Sequence, residues 1–275
     1  MDEKNDFTGV LVRDDAGKID DPKERLILDE SDSSLSGKEE QIMLNYLENH
    51  LTGNGFDENL HQISDNRVAE LISIQDEMKE FRYLMMCYEC AMIEVRTKLD
   101  VLNNQLTVRD NRNPIESIKS RIKTPSSIYD KIKGRSLEFN MKNIETQLDD
   151  IAGVRVICSF VDDIFRLRDA LIKQDDISLI KQKDYINNPK RNGYRSLHLI
   201  LGVPIFLMNE KKIMHVEVQF RTIAMDFWAS VEHKMKYKKE IPHSESIVEE
   251  LRYSADIINQ LDRRMMQIRD RIDQA

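Results

Sequence analysis

GVRVICSF, residues 153–160, is the stretch on which the fold turns. Its apolar side chains are mostly β-branched and the run is too short for a packed helix, so it reads as a buried strand. Downstream, Asp162 is placed to cap a helix running through Leu171 and Ile172, and residues 177–180 read as a second strand. Residues 181–193 are polar and basic, with Asn187, Asn188, Pro189 and Gly193 as breakers, which is the pattern of a loop. Residues 194–203 and 213–220 alternate as two further strands joined by a hairpin across 209–212, and helical spacing resumes over 222–239. Upstream, Asn113-Pro114 reads as the start of a short helix carrying Ile115 and Ile118. Thr124-Pro125 starts another, through Ile128 and Ile132 to a stop at Gly134. Strands interleaved with helices make an α/β (α+β) core.

Long helices flank that core. Leu71, Ile74, Met78, Phe81, Met85, Tyr88, Met92, Val95, Leu99, Leu102 and Leu106 recur at alternating three- and four-residue steps, a heptad seam, with Cys87 and Cys90 off it. A second seam, Ile247, Leu251, Ser254, Ile258, Leu261, Met265, Ile268 and Ile272, closes the sequence. Such stripes pack on the chain's own sheet or on another copy, and two of them beside one modest core favour both, with an oligomer built on helices. Residues 1–65 are rich in Asp, Glu, Ser and Gly and too poor in apolar residues to offset the entropy of ordering, apart from a short helix around 41–50. The expected organisation is an acidic, disordered leader over 1–65, a long helix over 66–110, an α/β core over 111–240 and an oligomerisation helix over 241–275.

Charge follows the same division. The 275 residues carry 41 Lys plus Arg against 49 Asp plus Glu, a net charge of -8 that alone argues against anionic partners. Yet residues 1–70 account for -11 and the remainder is +3, with +7 concentrated over 121–239. The N-terminus lacks the basic start and apolar run of a signal peptide and no stretch is long and apolar enough to span a bilayer, so a cytoplasmic protein with no membrane partner is expected. Three cysteines do not make a disulfide framework, and a single CxxC in a helical pattern is a weak metal or redox signal.

P-loop, dinucleotide and protein-kinase motifs are absent, and no His is followed by Asp. What remains is carboxylates and cations at strand ends. Asp150 precedes the GVRVICSF strand and Glu217 lies in VEVQF, an arrangement that suits Mg²⁺, which takes one or two carboxylates together with phosphate oxygens and water. Glu217, Gln219 and Arg221 share one face of their strand, the pattern either of a site or of any half-exposed strand. Arg121, Lys123, Ser127 and Lys131 form a basic segment. Arg155 sits mid-strand, where it needs a carboxylate, a phosphate or a flat base. Lys181, Lys183, Lys190 and Arg191 lead to Tyr194, cations beside an aromatic face, as a nucleotide site requires and as a solvated loop also shows.

Four segments in this order, RIKTPSSIYDKIK (121–133), DDIAGVRVICSFVDDIF (149–165), KDYINNPKRNGYRSLHLI (183–200) and VEVQFRTIAMDFWASVEHKMKYK (216–238), resemble the synthetase domain of the small alarmone synthetases. These are stand-alone members of the RelA/SpoT family, and in detail the likeness is to the RelQ-type branch, over residues 65–275. It implies a nucleotidyltransferase-like mixed sheet and a GTP pyrophosphokinase that moves diphosphate from ATP to the 3′-hydroxyl of GTP or GDP, giving pppGpp or ppGpp and AMP, with Mg²⁺ as cofactor. By resemblance Arg121 and Arg155 sandwich the adenine, and Lys123, Ser127 and Lys131 hold the ATP phosphates. Asp150 and Glu217 bind Mg²⁺, Glu217 also serving as candidate base. Tyr194 stacks on guanine, Lys190 and Asn192 belong to the same acceptor loop, His198 contacts phosphate, and Gln219 and Arg221 support. Arg191 departs from the pattern, standing where the family's loop often has Pro.

The resemblance further implies a homotetramer and an allosteric alarmone. With no hydrolase motif in the sequence, synthesis alone is expected. Two other classes stay open: a regulator binding alarmone or single-stranded RNA with weak catalysis, against which the intact Asp150, Glu217 and Tyr194 argue, and another nucleotidyltransferase of the same superfamily, which would release pyrophosphate.

Overall fold

The computed structural model describes residues 63–110, 112–237 and 245–274. The leader expected over 1–65 therefore lies outside the described residues except for its last three, which are helical. Two compact units divide the chain between Ile74 and Gln75, and the sheet and the site belong to the second.

The described chain runs α1 (Ile63–Asp110), β1 (Ile115–Ile122), α2 (Pro125–Gly134), α3 (Met141–Gln147), β2 (Ala152–Cys158), α4 (Val161–Ile172), β3 (Ser178–Asp184), β4 (Leu197–Phe206), β5 (Lys211–Thr222), α5 (Ile223–Tyr237) and α6 (Glu245–Asp273). The five strands form one mixed sheet in the order β1-β2-β5-β4-β3, in which only β2 and β5 run parallel. GVRVICSF is thus the second strand, and it carries the core: Val154, Val156 and Cys158 are buried with Val216, Val218 and Phe220 beside them on β5 and Leu197, Leu199 and Leu201 on β4. α4 packs on β2 and β5. Among the described residues no helix is long and apolar enough to cross a membrane.

Four expectations change. Residues 115–122 form a strand, not a helix. A bulge between Ile115 and Ser117 shifts the pleat by one residue, so Ile115 pairs with Cys158 and Ile118 with Val156 on the same face; their three-residue spacing mimics a helical turn. Asp162 is not the cap of α4: Phe160 holds that position without a side-chain bond, and Asp162 sits in the first turn, where its carboxylate accepts from Arg269 of α6 at 2.8 Å. β3 continues through Lys181–Asp184, where a loop was expected. It is an edge strand exposed on both faces and so lacks the alternation that would mark it. Lastly, Cys87 belongs to the buried stripe of α1, with Phe81, Leu84, Tyr88, Ala91 and Val95, and burial pushes its thiol up: it is a core residue.

The C-terminal seam splits. Leu251, Ala255 and Ile258 turn inward against Trp228, Ala229 and Tyr194, while Leu261, Met265, Ile268 and Ile272 remain exposed. The Trp228 indole donates to the Leu251 carbonyl at 3.1 Å, and Thr222 donates to Asp262 at 2.7 Å, so α6 is fastened to α5 and to the end of β5.

Candidate active site

Register collects the site. Directly opposed residues on neighbouring strands share a face, and two rows cross the sheet: Arg121, Gly153, Glu217 and Ile200, then Lys119, Arg155, Gln219, His198 and Lys183. Arg221 lies one step further along β5 on the same face. Alternation leaves this face polar while its opposite forms the core, so a single sheet surface gathers the charged residues that the sequence scatters over a hundred positions.

At one end, Asp150 precedes β2 and faces Lys123 and Lys131. Its Oδ2 accepts from Lys123 Nζ at 3.0 Å and from Lys131 Nζ. Burial opposes ionisation of Asp150, but the two lysines outweigh it and hold the carboxyl below its ordinary value. The other oxygen, Oδ1, is buried without a hydrogen-bond partner. Glu217, beside Gly153 on β5, accepts from Gln219 Nε2 at 3.0 Å and pairs with His198 Nδ1 at 3.0 Å. Burial opposes its ionisation too, yet the bond and charge of His198, with the Gln219 bond, leave it below the usual glutamate value despite repulsion from Asp150. Glu217 stands opposite Gly153, three residues after Asp150, so the parallel pairing brings both carboxylates to the start of β2.

The chain of bonds continues toward the loop between β3 and β4. His198 Nε2 meets the Tyr194 hydroxyl at 2.9 Å, and Arg221 donates to the same hydroxyl at 2.9 Å. Cations already lie on the Tyr194 ring, with Lys190 Nζ 4.8 Å and the Arg221 guanidinium 5.3 Å from its centre. Tyr185, not singled out from sequence, completes an edge-to-face trio with Tyr194 and His198.

Other expected site residues are placed differently. Asn192 donates to Glu232 of α5 at 3.1 Å and accepts from the Tyr194 amide at 3.2 Å, so its amide shapes the loop. Ser127 serves in the N-cap of α2, its hydroxyl accepting from Thr124 at 2.9 Å. Arg121 is exposed on β1 and its charge is felt at Arg155. Arg155 takes the carboxylate among its three options: Asp226, in the first turn of α5, lies 3.6 Å away. No position on a strand or in a loop marked Asp226 as part of the site. The available signal was chemical: two arginines on one sheet face, with an acid five residues after the second.

Gly193 is what lets α6 sit over this loop. Its φ is +88°, and a Cβ there would stand 2.5 Å from Ala255 Cβ and 3.1 Å from Arg252 Cα. Gly193→Ala should therefore lose about 2 kcal/mol of stability from the left-handed backbone and the clash. Urea unfolding checks this; an unchanged midpoint would mean that α6 yields at no cost.

Among the described residues no three His, Cys, Asp or Glu side chains converge as a metal cage. A pair of carboxylates with one orphaned oxygen is what a Mg²⁺ shared with nucleotide phosphates asks of a protein.

The region found in RelA/SpoT proteins matches residues 120–242. GTP pyrophosphokinase YwaC of Bacillus subtilis is 38% identical over 209 residues, covering 76% of this chain and 100% of its own length. GTP pyrophosphokinase YjbM of the same organism is 34% identical over 197 residues, covering 72% and 92%. Among solved structures, small alarmone synthetase 1 of Bacillus subtilis, bound to its product pppGpp, aligns with a TM-score of 0.63 at 34% identity, covering 71% of this chain and 99% of that one. The chain belongs to the RelA/SpoT family of GTP pyrophosphokinases, among the small alarmone synthetases.

Proposed function

We propose that this chain transfers the diphosphate group of ATP to the 3′-hydroxyl of GTP or GDP, forming pppGpp or ppGpp and releasing AMP. The observation that carries the reading is the sheet face itself: Asp150 and Glu217 across β2/β5, lysines on one side and a tyrosine-lined loop on the other, in a chain similar over their whole or nearly whole length to named GTP pyrophosphokinases. The acceptor O3′ forms a bond to Pβ as the bond from Pβ to the oxygen bridging to Pα breaks; AMP leaves with that oxygen and the bonding electron pair, and the hydroxyl proton passes toward Glu217 or solvent. Such a transfer needs positioning and charge neutralisation more than covalent help.

Arg121 and Arg155 serve the donor base, and Lys123 and Lys131 the donor phosphates, exchanging Asp150 for phosphate oxygen when ATP binds. Ser127 is available at the start of α2. Tyr194 offers its ring to guanine once Lys190 swings aside, and His198 orients both Glu217 and the Tyr194 hydroxyl. Asp150 and Glu217 would hold Mg²⁺, for which the unpartnered Oδ1 of Asp150 is suited. Bound there, the ion would supply positive charge to the transferring phosphate oxygens.

Purified protein incubated with ATP, Mg²⁺ and GTP or GDP, followed by nucleotide chromatography, tests the reading. AMP with a penta- or tetraphosphate guanosine is expected; pyrophosphate release would establish a different nucleotidyl transfer. Tyr194→Ala should raise the KM for the guanine acceptor about 10- to 100-fold, the scale of one base–aromatic stack, with a smaller effect on the KM for ATP. Unchanged acceptor KM would remove the stacking role.

The exposed stripe Leu261, Met265, Ile268 and Ile272 on α6 supports self-association. Sedimentation should show an oligomer, a tetramer on the family pattern, that Leu261→Glu with Met265→Glu dissociates; a native monomer would overturn this.

A further inference from the structure

We propose that Asp226 is a positioning residue that couples the two nucleotides to each other, resting on the synthetase reading for what each side binds. Its Oδ1 accepts from Arg221 Nη1 at 2.9 Å and lies 3.6 Å from Arg155 Nη1. Arg221 in turn holds the Tyr194 hydroxyl through Nη2. One carboxylate oxygen thus ties the cation on the donor side to the ring on the acceptor side.

The arrangement is under tension, because Arg221 and Arg121 both repel Arg155, and the Nε atoms of Arg155 and Arg221 are buried without partners. Asp226 itself is fixed from below. It sits in the first turn of α5, where an anion is favoured, and Thr222 anchors that turn by accepting from the Met225 amide at 3.1 Å while donating to Asp262 of α6.

Sharing one oxygen makes the two arginines competitors. When a donor nucleotide draws the Arg155 guanidinium to itself, Oδ1 is left to Arg221, whose hold on Tyr194 tightens. Donor binding therefore strengthens acceptor binding.

Calorimetric titration of GDP with and without a saturating non-hydrolysable ATP analogue measures this. For the native protein the analogue should tighten GDP binding about 10-fold, within the usual range of coupling between sites. Asp226→Asn should bind GDP more weakly and bring that ratio close to one. Arg155→Gln, which removes the competitor, should bind GDP without the analogue as tightly as the native protein does with it. A purely structural Asp226 would lower the unfolding temperature and leave the ratio intact, and an unchanged ratio in Asp226→Asn, or unchanged GDP affinity in Arg155→Gln, overturns the proposal. Asp176→Asn, whose carboxylate pairs only with Lys98 among the described contacts, should keep the native ratio. If the native protein binds both nucleotides and yields AMP while the ratio is one, the coupling fails and the synthetase reading stands; if it binds neither, both fall.

Discussion

Asp150→Ala is expected to lower the rate of AMP formation about 10³-fold or more, on the scale of losing a preorganised charge at a phosphoryl-transfer centre. Three consequences of the geometry add up. The orphaned Oδ1, the oxygen proposed to meet Mg²⁺, disappears. Lys123 and Lys131 lose their shared anion and no longer converge on one point. The repulsion that Asp150 exerts on Glu217 is lifted. Because the folded-state pKa of Asp150 is depressed, its ionised form stabilises the fold at neutral pH, and that contribution is lost as pH falls through the lowered value. Asp150 is a quarter exposed and its lysines partly so, which screens the stability effect to a small one. The expected signature is near-native unfolding with single-turnover activity nearly abolished and Mg²⁺ dependence shifted to higher concentration. Near-full synthesis by this variant would remove Asp150 from the site.

Much of this centre was legible without coordinates, for a physical reason. A carboxylate just before a buried strand and another on the polar phase of VEVQF come to the same end of the sheet once β2 pairs parallel with β5, which sets Glu217 opposite Gly153. The same alternation rule put Glu217, Gln219 and Arg221 together. It failed where periodicity is broken or missing: at the β1 bulge, which gives Ile115 and Ile118 a helical spacing, and along β3, whose edge position leaves neither face apolar. Tertiary roles were the least visible. Asp226 reads as an ordinary acid in a first helical turn until Arg155 and Arg221 arrive from two different strands. Asn192, expected in the acceptor loop by resemblance, also bonds Glu232 of α5, a contact no spacing in the sequence announces.

Glu217→Gln should lower kcat/KM about 10³-fold while leaving unfolding close to native. The substitution preserves shape but not bonding capacity. A carboxylate accepts at both oxygens, from Gln219 on one and His198 on the other, whereas a glutamine must turn an NH₂ toward one of them. Opposed to Gln219 Nε2, that NH₂ breaks the bond; opposed to His198, it forces the ring to present Nδ1 as acceptor and so alters what Nε2 offers the Tyr194 hydroxyl. A change at Glu217 therefore reaches the Tyr194 ring, and the variant should show a raised acceptor KM as well as a lower kcat. The pH dependence separates the two roles of Glu217. Held below the usual glutamate range by His198 and Gln219 against the effect of burial, it is ionised throughout the neutral range and loses its charge only as pH falls through that lowered value. So low a basicity suits orientation and charge better than strong proton abstraction. Between about pH 6 and 8 the deficit of Glu217→Gln should then be constant, any limb in the profile being common to both proteins. A limb of unit slope in the native enzyme that the variant abolishes would instead identify Glu217 as a base tuned to neutrality, which the bonds at its two oxygens oppose.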